Sequence, residues 1–307
     1  MPLSSSRLMR SVATFVVAAS CALTLAACAG PEPAPQPAPV TATTPLLKNP
    51  VALQLYSLRA GFAADGVPAT LAKVKAMGIS HVELAGTANL TREAFKAELD
   101  KAGLTAVSMH VDLDALLKAP GRFIDDAKFF GVQYVGDAWF EHEGTFDAAD
   151  ADLAVVAFNS AGRLLRDAGL TFLYHAHGFE FAPAASGGTL FDSIVARTDP
   201  DNVKFQLDIF WAFHGGADPA ALLRQYPNRF VSTHLKDMRA GTERNHTGRA
   251  PDDSSVALGT GLVDVKAALE AARGTSVEWH IIEEESAEPE VNIPAGLTYI
   301  RQLESGQ

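Results

Sequence analysis

VKFQLDIFW (203–211) and FVSTHLKD (230–237) are each of strand length, and each runs from apolar residues to groups that carry chemistry. The first reaches Asp208 and Trp211; the second reaches His234, Lys236 and Asp237. Six further runs have the same character: VALQLYSL (51–58), HVELAG (81–86), AVSMHVD (106–112), QYVGDAWF (133–140), TFLYHAH (171–177) and WHIIEEE (279–285). Most are rich in Val, Ile, Phe or Tyr, the residues that pack well on a pleated surface.

Helical patterns fill the intervals. PATLAKVKAMG (68–78) carries Leu71, Val74 and Met77 at helical spacing and ends in Gly78. TREAFKAELDKAG (91–103) carries Phe95 and Leu99 and ends in Gly103, 147–169 is the longest stretch, and 264–274 opens on Asp264, a good N-cap. Strand and helix alternating eight times predict an α/β chain with a parallel sheet and helices outside, closed as a single-domain (β/α)8 TIM barrel over residues 46–305. An open doubly wound sheet usually has fewer units, and no GxGxxG follows the first strand.

In such a barrel the chemistry gathers where the strands end. Glu83 lies in the second run, His110 and Asp112 in the third, and Asp137, Trp139, Glu141 and His142 at or after the fourth. The fifth closes on His175 and His177 with Glu180 beyond, the sixth on Asp208 and Trp211, the seventh on His234, Lys236 and Asp237, and the eighth on Glu283, Glu284 and Glu285. One histidine at a strand end is usually a satisfied structural group. Recurrence is the informative fact: carboxylates and imidazoles from four consecutive strands would converge, and without a cation the carboxylates would repel and protonate. Oxygen and nitrogen ligands without sulfur suit Mn, Mg, Co, Zn or Fe.

QLYSLR (54–59), HVELAG (81–86), YHAHGFEF (174–181), QLDIFWAFHGGADP (206–219), HLKDM (234–238), LGTGLVDV (258–265) and VEWHIIEEES (277–286) resemble, in order, the motifs of the xylose isomerase-like TIM-barrel superfamily in its sugar phosphate isomerase/epimerase branch. The resemblance covers nearly the whole domain. It implies one divalent metal held by side chains from strands five to eight. Carried over by position, it assigns Asp208, His234 and Glu283 as ligands. At strand five the epimerases carry a Glu where this chain has His175-Ala176-His177, so Glu180, just beyond, is taken as the fourth ligand, with His175 or His177 as the alternative.

The chemistry implied is proton abstraction beside a carbonyl, or a hydride shift between adjacent sugar carbons. Glu180 and Glu283 would then serve as ligands and acid/base groups, while His175, His177 and Lys236 orient hydroxyls or steady an oxyanion. Trp139 and Trp211 are expected against a sugar face, with Glu83 and His110 on the floor. The expected function is sugar isomerase or epimerase. A lyase or hydratase acting on a keto-glycoside uses the same step, and a sugar-binding envelope protein without activity is the alternative of another class. The loop 238–261 carries Arg239, Arg244, His246 and Arg249, and reads either as a lid over an acidic sugar or as solvated surface.

Bulk properties narrow the partners. The 307 residues carry a net charge of −11, which repels phosphate backbones and argues against nucleic acid, including the DNA of the superfamily's abasic-site endonucleases. Cys21 and Cys28 are the chain's two cysteines, so the barrel can contain neither a disulfide nor a cysteine-bound zinc. Arg7 and Arg10 precede an apolar stretch from Val12 to Leu25, too short to span a bilayer comfortably. Leu25-Ala26-Ala27-Cys28 resembles the lipobox of bacterial lipoproteins, which implies a signal over 1–27 and lipidation of Cys28. PEPAPQPAP (31–39), within a linker over 28–45, should be an extended spacer. These features predict an exported protein, lipid-anchored on the periplasmic face of a bacterial membrane. Ala29 after the cysteine favours the outer membrane by resemblance to sorting rules. Beyond the inner membrane there is no ATP to make sugar phosphates, so a free or oxidised sugar is the expected substrate.

Overall fold

Strands and helices alternate along the chain as the sequence periodicity predicts. This is seen in a computed structural model, which describes residues 45–306. The proposed signal, Cys28 and nearly all of the Pro-rich linker lie outside those residues. The strands are β1 (Ala52–Gln54), β2 (His81–Leu84), β3 (Thr105–His110), β4 (Tyr134–Asp137), β5 (Thr171–His175), β6 (Val203–Asp208) and β7 (Phe230–Leu235). Two short strands follow, β8 (Asp237–Met238) and β9 (Ser255–Val256), and then β10 (Trp279–Ile282). β1 to β7 and β10 close into one barrel in the order β1-β10-β7-β6-β5-β4-β3-β2, every pair parallel. This is the predicted TIM barrel.

Several strands are shorter than the apolar runs that announced them, for local reasons. In β6 the Asp208 side chain accepts from Trp211 N at 2.9 Å and so caps the helix Ile209–His214. After β1 the Gln54 side chain accepts from Tyr56 N at 3.1 Å and starts a 3-10 turn over Leu55–Leu58. A side chain that bonds its own downstream N–H offers the backbone an alternative to the ladder.

The connecting helices carry the expected ends. Thr91 caps Arg92–Ala102, and Gly103 takes a φ of 65° to end it. Asp147 and Asp150 form a reciprocal capping box on Ala148–Asp167. Asp264 caps Val265–Ala272. Between strands and helices lies one continuous apolar layer that includes Leu53, Val82, Phe158, Phe172, Phe205 and Phe230.

Inside the barrel the lower end is apolar: Trp279 packs on Ala52, Val107 and Ile281 on one side and on Tyr134, Leu173 and Val231 on the other. Above this plug the interior turns polar. Glu83 on β2 contacts residues of β6 and β7, which are not its neighbours in the sheet, so these contacts cross the barrel lumen. The fold therefore delivers polar side chains to the C-terminal mouth and seals the opposite end.

Candidate metal centre at the barrel mouth

Four side chains from four adjacent strands meet at the mouth. His175 ends β5, Asp208 ends β6, His234 lies on β7, and Glu283 follows β10; one ligand atom from each falls within 4.8 Å of all the others. His175 Nε2 is 3.9 Å from Asp208 Oδ2, and His234 Nδ1 is 3.3 Å from Glu283 Oε2. His175 Nε2, Asp208 Oδ2 and His234 Nδ1 are all buried without a hydrogen-bond partner. Three orphaned polar atoms on a common centre are costly unless something binds them. The donor set, two imidazoles and two carboxylates, fits a divalent cation.

The layer beneath sets which atom of each ligand faces the centre. His234 donates Nε2–H to Glu83 Oε1 at 2.6 Å, leaving Nδ1 free. His175 donates Nδ1–H to Gln206 Oε1 at 2.9 Å, leaving Nε2 free. These tautomers follow from the acceptors, since both partners are oxygen. A carboxylate or amide behind a histidine is the usual way a metal ligand is oriented.

Glu83 is satisfied on all sides. Its Oε1 accepts from Gln54 Nε2 at 2.7 Å as well as from His234, and its Oε2 accepts from Ser108 Oγ at 2.6 Å and Gln206 Nε2 at 2.9 Å. Burial alone would raise its pKa, but His110, His234 and these donors hold it down at about 2. Gln206 also accepts from His110 Nε2 at 2.9 Å and donates to Ser232 Oγ at 3.1 Å. His110 stacks on the His234 ring at 5.6 Å between centroids, and both its nitrogens are engaged, Nδ1 with Gln54 Nε2 at 3.4 Å.

The electrostatics of the four side chains are set by burial and by one another: burial would lower His234, but Glu83 and Glu283 raise it to about 10, so a metal ion would displace a proton from it. Burial and the neighbouring histidines push His175 well below the usual imidazole range, so it presents a lone pair. Burial raises Asp208, although Lys236 and His234 oppose the rise. Burial would raise Glu283 too, but His234 and Lys236 keep it ionised.

Glu180, taken from sequence as the strand-five ligand and an acid/base group, is not brought to the centre. It lies in the turn Phe179–Phe181, where Oε1 accepts from Tyr174 Oη at 2.5 Å and the two oxygens accept from His177 N and Gly178 N. Both oxygens are spent on shaping the turn. His175 stands at the strand-five corner instead, the alternative that the sequence left open.

Above the centre is a cavity of about 320 Å³, lined by Trp139, His177, Trp211, Lys236, Arg249 and Glu285, among others. His177 adjoins the centre through His175, their rings 4.8 Å apart, and burial lowers its pKa to about 3. Lys236 Nζ is 3.9 Å from Glu283 Oε2 and forms an ion pair with Glu285. His177 Nδ1, Trp211 Nε1 and Ser255 Oγ are buried and unpartnered, so the cavity offers unused polar groups to a ligand. Asp137, at the end of β4, is also buried with one orphaned oxygen, yet it stands outside the ligand group.

The loop from Arg239 to Gly261 folds over this cavity. Its base is pinned by Asp237, whose Oδ1 accepts from Met238 N and Val263 N and whose Oδ2 accepts from Gly259 N and Gly261 N. Arg249 lies over the Trp139 ring at 4.8 Å, and Arg244 over Phe213 at 4.2 Å. Gln54, Ser108, Gln206 and Ser232 were missed by the sequence reading. Gln206 had a signal: it stands two residues before Asp208, on the same face of β6.

The fold is that of a TIM barrel, with a histidine–carboxylate cluster at its mouth that could hold a metal ion. Residues 71–303 match the model of the xylose isomerase-like TIM barrel family, and the chain belongs to that family. The chain is 30% identical over 95 residues to an inosose dehydratase of Clostridium beijerinckii, covering 31% of each chain. It is 32% identical over 85 residues to an inosose dehydratase of Geobacillus kaustophilus, covering 28% of this chain and 27% of that one. The matches thus span about a third or less of these relatives' length. Among solved structures, a sugar phosphate isomerase/epimerase of Parabacteroides distasonis superposes with a TM-score of 0.70 at 22% identity, over 82% of this chain and 97% of that one. IOLI protein with a bound zinc atom gives 0.62 at 14% identity, over 83% and 98% of the two chains. A xylose isomerase-like TIM barrel protein of Mycobacterium smegmatis in complex with magnesium gives 0.61 at 17%, over 86% and 97%. These likenesses establish the fold.

Proposed function

We propose that the chain is a divalent-metal-dependent enzyme that removes a proton from the carbon beside a carbonyl of a free or oxidised sugar. The observation that carries this reading is the set of three unpartnered buried atoms, His175 Nε2, Asp208 Oδ2 and His234 Nδ1, converging with Glu283. These four residues would hold the ion, and when bound it would act as a Lewis acid toward the substrate's oxygens. Neighbours described with zinc or magnesium support a metal and leave its identity open among Mn, Mg, Co, Zn and Fe.

The chain's own groups supply the rest. Lys236 projects into the cavity beside Glu283 and offsets negative charge growing on a substrate oxygen. His177 is neutral at physiological pH, with Nδ1 free to accept a proton or a hydroxyl hydrogen bond. Glu285, paired with Lys236, is the carboxylate on the cavity's other side and exchanges the proton. Trp139 and Trp211 present apolar faces to the ring carbons, and Trp211 Nε1 adds a donor for a hydroxyl. Glu83 and His110 act from beneath, through His234 and Gln206.

The fate of the proton decides the class. Its return to either carbon or face gives an isomerase or epimerase. Loss of a neighbouring hydroxyl gives a lyase, and the names of the dehydratase relatives favour this second course. A catalytically silent sugar binder would have no need of the intact ligand set. The test is NMR of keto-sugars with the metal-loaded protein in deuterated buffer. Deuterium wash-in beside the carbonyl, with or without an unsaturated product, is expected. Wild-type protein that holds no metal and exchanges nothing across a broad panel, or an Asp208→Ala variant that keeps both metal and activity, overturns the proposal.

The segment 7–28 and the Pro-rich stretch 31–39 support a lipid-anchored envelope location for this enzyme, probed by mass spectrometry of the mature N-terminus from membranes. A diacylglyceryl modification on Cys28 is expected, and an unmodified chain beginning at Met1 refutes it.

A further inference from the structure

Arg59 lines two cavities at once. One is the cavity above the metal centre; the other, of about 280 Å³, lies over the β1 and β2 loops and is walled by Leu55, Tyr56, Phe62, Ala85, Ala88 and Phe95. The reaction proposed above makes no use of this second cavity. Its lining is largely apolar and aromatic, and Tyr56 is 46% exposed within it, an unusual degree of exposure for a large aromatic.

The cavity is built rather than incidental. The Arg59 guanidinium lies 4.5 Å from the Tyr56 ring centroid, and Nη1 donates to Tyr56 O at 3.2 Å. No carboxylate pairs with Arg59 among the described residues, so its plane is set by the aromatic ring. Across from it Ala88 and Asn89 both adopt left-handed backbone, with φ of 47° and 65°. Two consecutive non-glycine residues in that region are uncommon, and here Leu90 N bonds Thr87 O at 3.0 Å and Thr87 Oγ1 bonds Leu90 O at 2.7 Å to hold the turn.

We propose that the second cavity is a subsite for an apolar, aromatic group carried by the reacting sugar, so that the substrate is a glycoside whose aglycone lies across Arg59 from the metal centre. This rests on the proposed reaction for the position of the sugar. The apolar walls and exposed Tyr56 face select an aromatic ring over a second hydroxyl-rich sugar, and the unpaired guanidinium edge serves the linking oxygen.

The test uses protein labelled with 13C at alanine methyls, titrated with 4-nitrophenol, 4-nitrophenyl β-D-glucopyranoside and methyl β-D-glucopyranoside. Ala63, Ala85 and Ala88 report the second cavity, and Ala250 reports the first. Both aryl probes are expected to shift the first three methyls, and the methyl glucoside is not. Ala63→Trp, on an exposed helix position facing the cavity, should weaken aryl binding about tenfold by filling the space. Unmoved methyls, equal shifts with the methyl glucoside, or unchanged aryl affinity in Ala63→Trp overturn the proposal. The 4-nitrophenol shifts should persist after EDTA treatment. Aryl binding in a protein that neither holds metal nor exchanges deuterium would therefore refute the reaction and leave the subsite standing.

Discussion

His234 on β7 and Glu83 on β2 meet across the barrel lumen, Nε2 to Oε1, at 2.6 Å. Both are fully buried, and the contact turns His234 Nδ1 toward Asp208, His175 and Glu283. Glu83 is therefore the residue that sets the ligand's direction. In Glu83→Gln the amide can still bond Ser108 and Gln54 but no longer offers a charge to the His234 Nε2–H. Metal affinity is expected to fall by about 10- to 100-fold with the fold retained. Competition with a chromophoric chelator measures it, and an unchanged affinity would show that His234 needs no carboxylate behind it.

His175 and Glu180 separate cleanly. His175→Ala removes a ligand atom and should abolish stoichiometric metal in elemental analysis. Glu180→Gln should keep the metal, because both oxygens of Glu180 already serve Tyr174, His177 and Gly178. It should lower stability instead, by about 1–3 kcal/mol, since one amide group cannot accept all the bonds a carboxylate takes. Loss of metal in Glu180→Gln with retention in His175→Ala would reverse the assignment.

Asp237 holds both ends of the loop through four backbone N–H groups. Asp237→Ala leaves buried donors unpaired at the loop base, each costing about 1–3 kcal/mol. The expected signature is faster cleavage by trypsin at Arg239, Arg244 and Arg249 with metal content preserved. Cleavage at the wild-type rate would mean that the loop is held by Arg244 and Arg249 alone.

His280 on β10 gives a pH dependence that is independent of the metal centre. It is buried against Thr233 Oγ1, 2.7 Å from Nδ1, and burial lowers its pKa from 6.5 to about 4. Between those values the unfolded chain binds a proton that the folded chain refuses. Stability is thus complete above pH 6.5 and declines as the pH falls toward 4. The loss attributable to this group is about 3 kcal/mol over that window. Urea unfolding of wild type and His280→Gln at several pH values should show the variant's curve flatter by that amount; parallel curves would remove His280 as the cause.

The barrel was legible because strand-length apolar runs alternate eight times with helical patterns, and because Gly103 and Asp264 mark helix ends in the sequence itself. Asp208, His234 and Glu283 stood out at strand ends and by their match to the motifs of the family that the chain resembles. Strand-five chemistry was not. Whether His175, His177 or Glu180 faces the lumen depends on where the strand stops, and β5 stops at His175 because the Glu180 carboxylate captures the next backbone N–H groups. Such a local contest leaves no periodic trace. Gln54, Ser108, Gln206 and Ser232 escaped for another reason: their value arises from contacts across the lumen, between positions as distant as 83 and 206.

The Gln206 amide ties the interior together in one further respect. Its oxygen faces two imidazole N–H groups, on His110 and His175, and its nitrogen faces Glu83 and Ser232. Turning the amide over would set donor against donor on one side and strand a charged oxygen on the other. Proton positions on three histidines and two amides are thus mutually dependent, and the interior admits one self-consistent orientation of its dipoles. The outward-facing nitrogen of His175 is thus chosen by a residue on the neighbouring strand that stands outside the four-residue cluster.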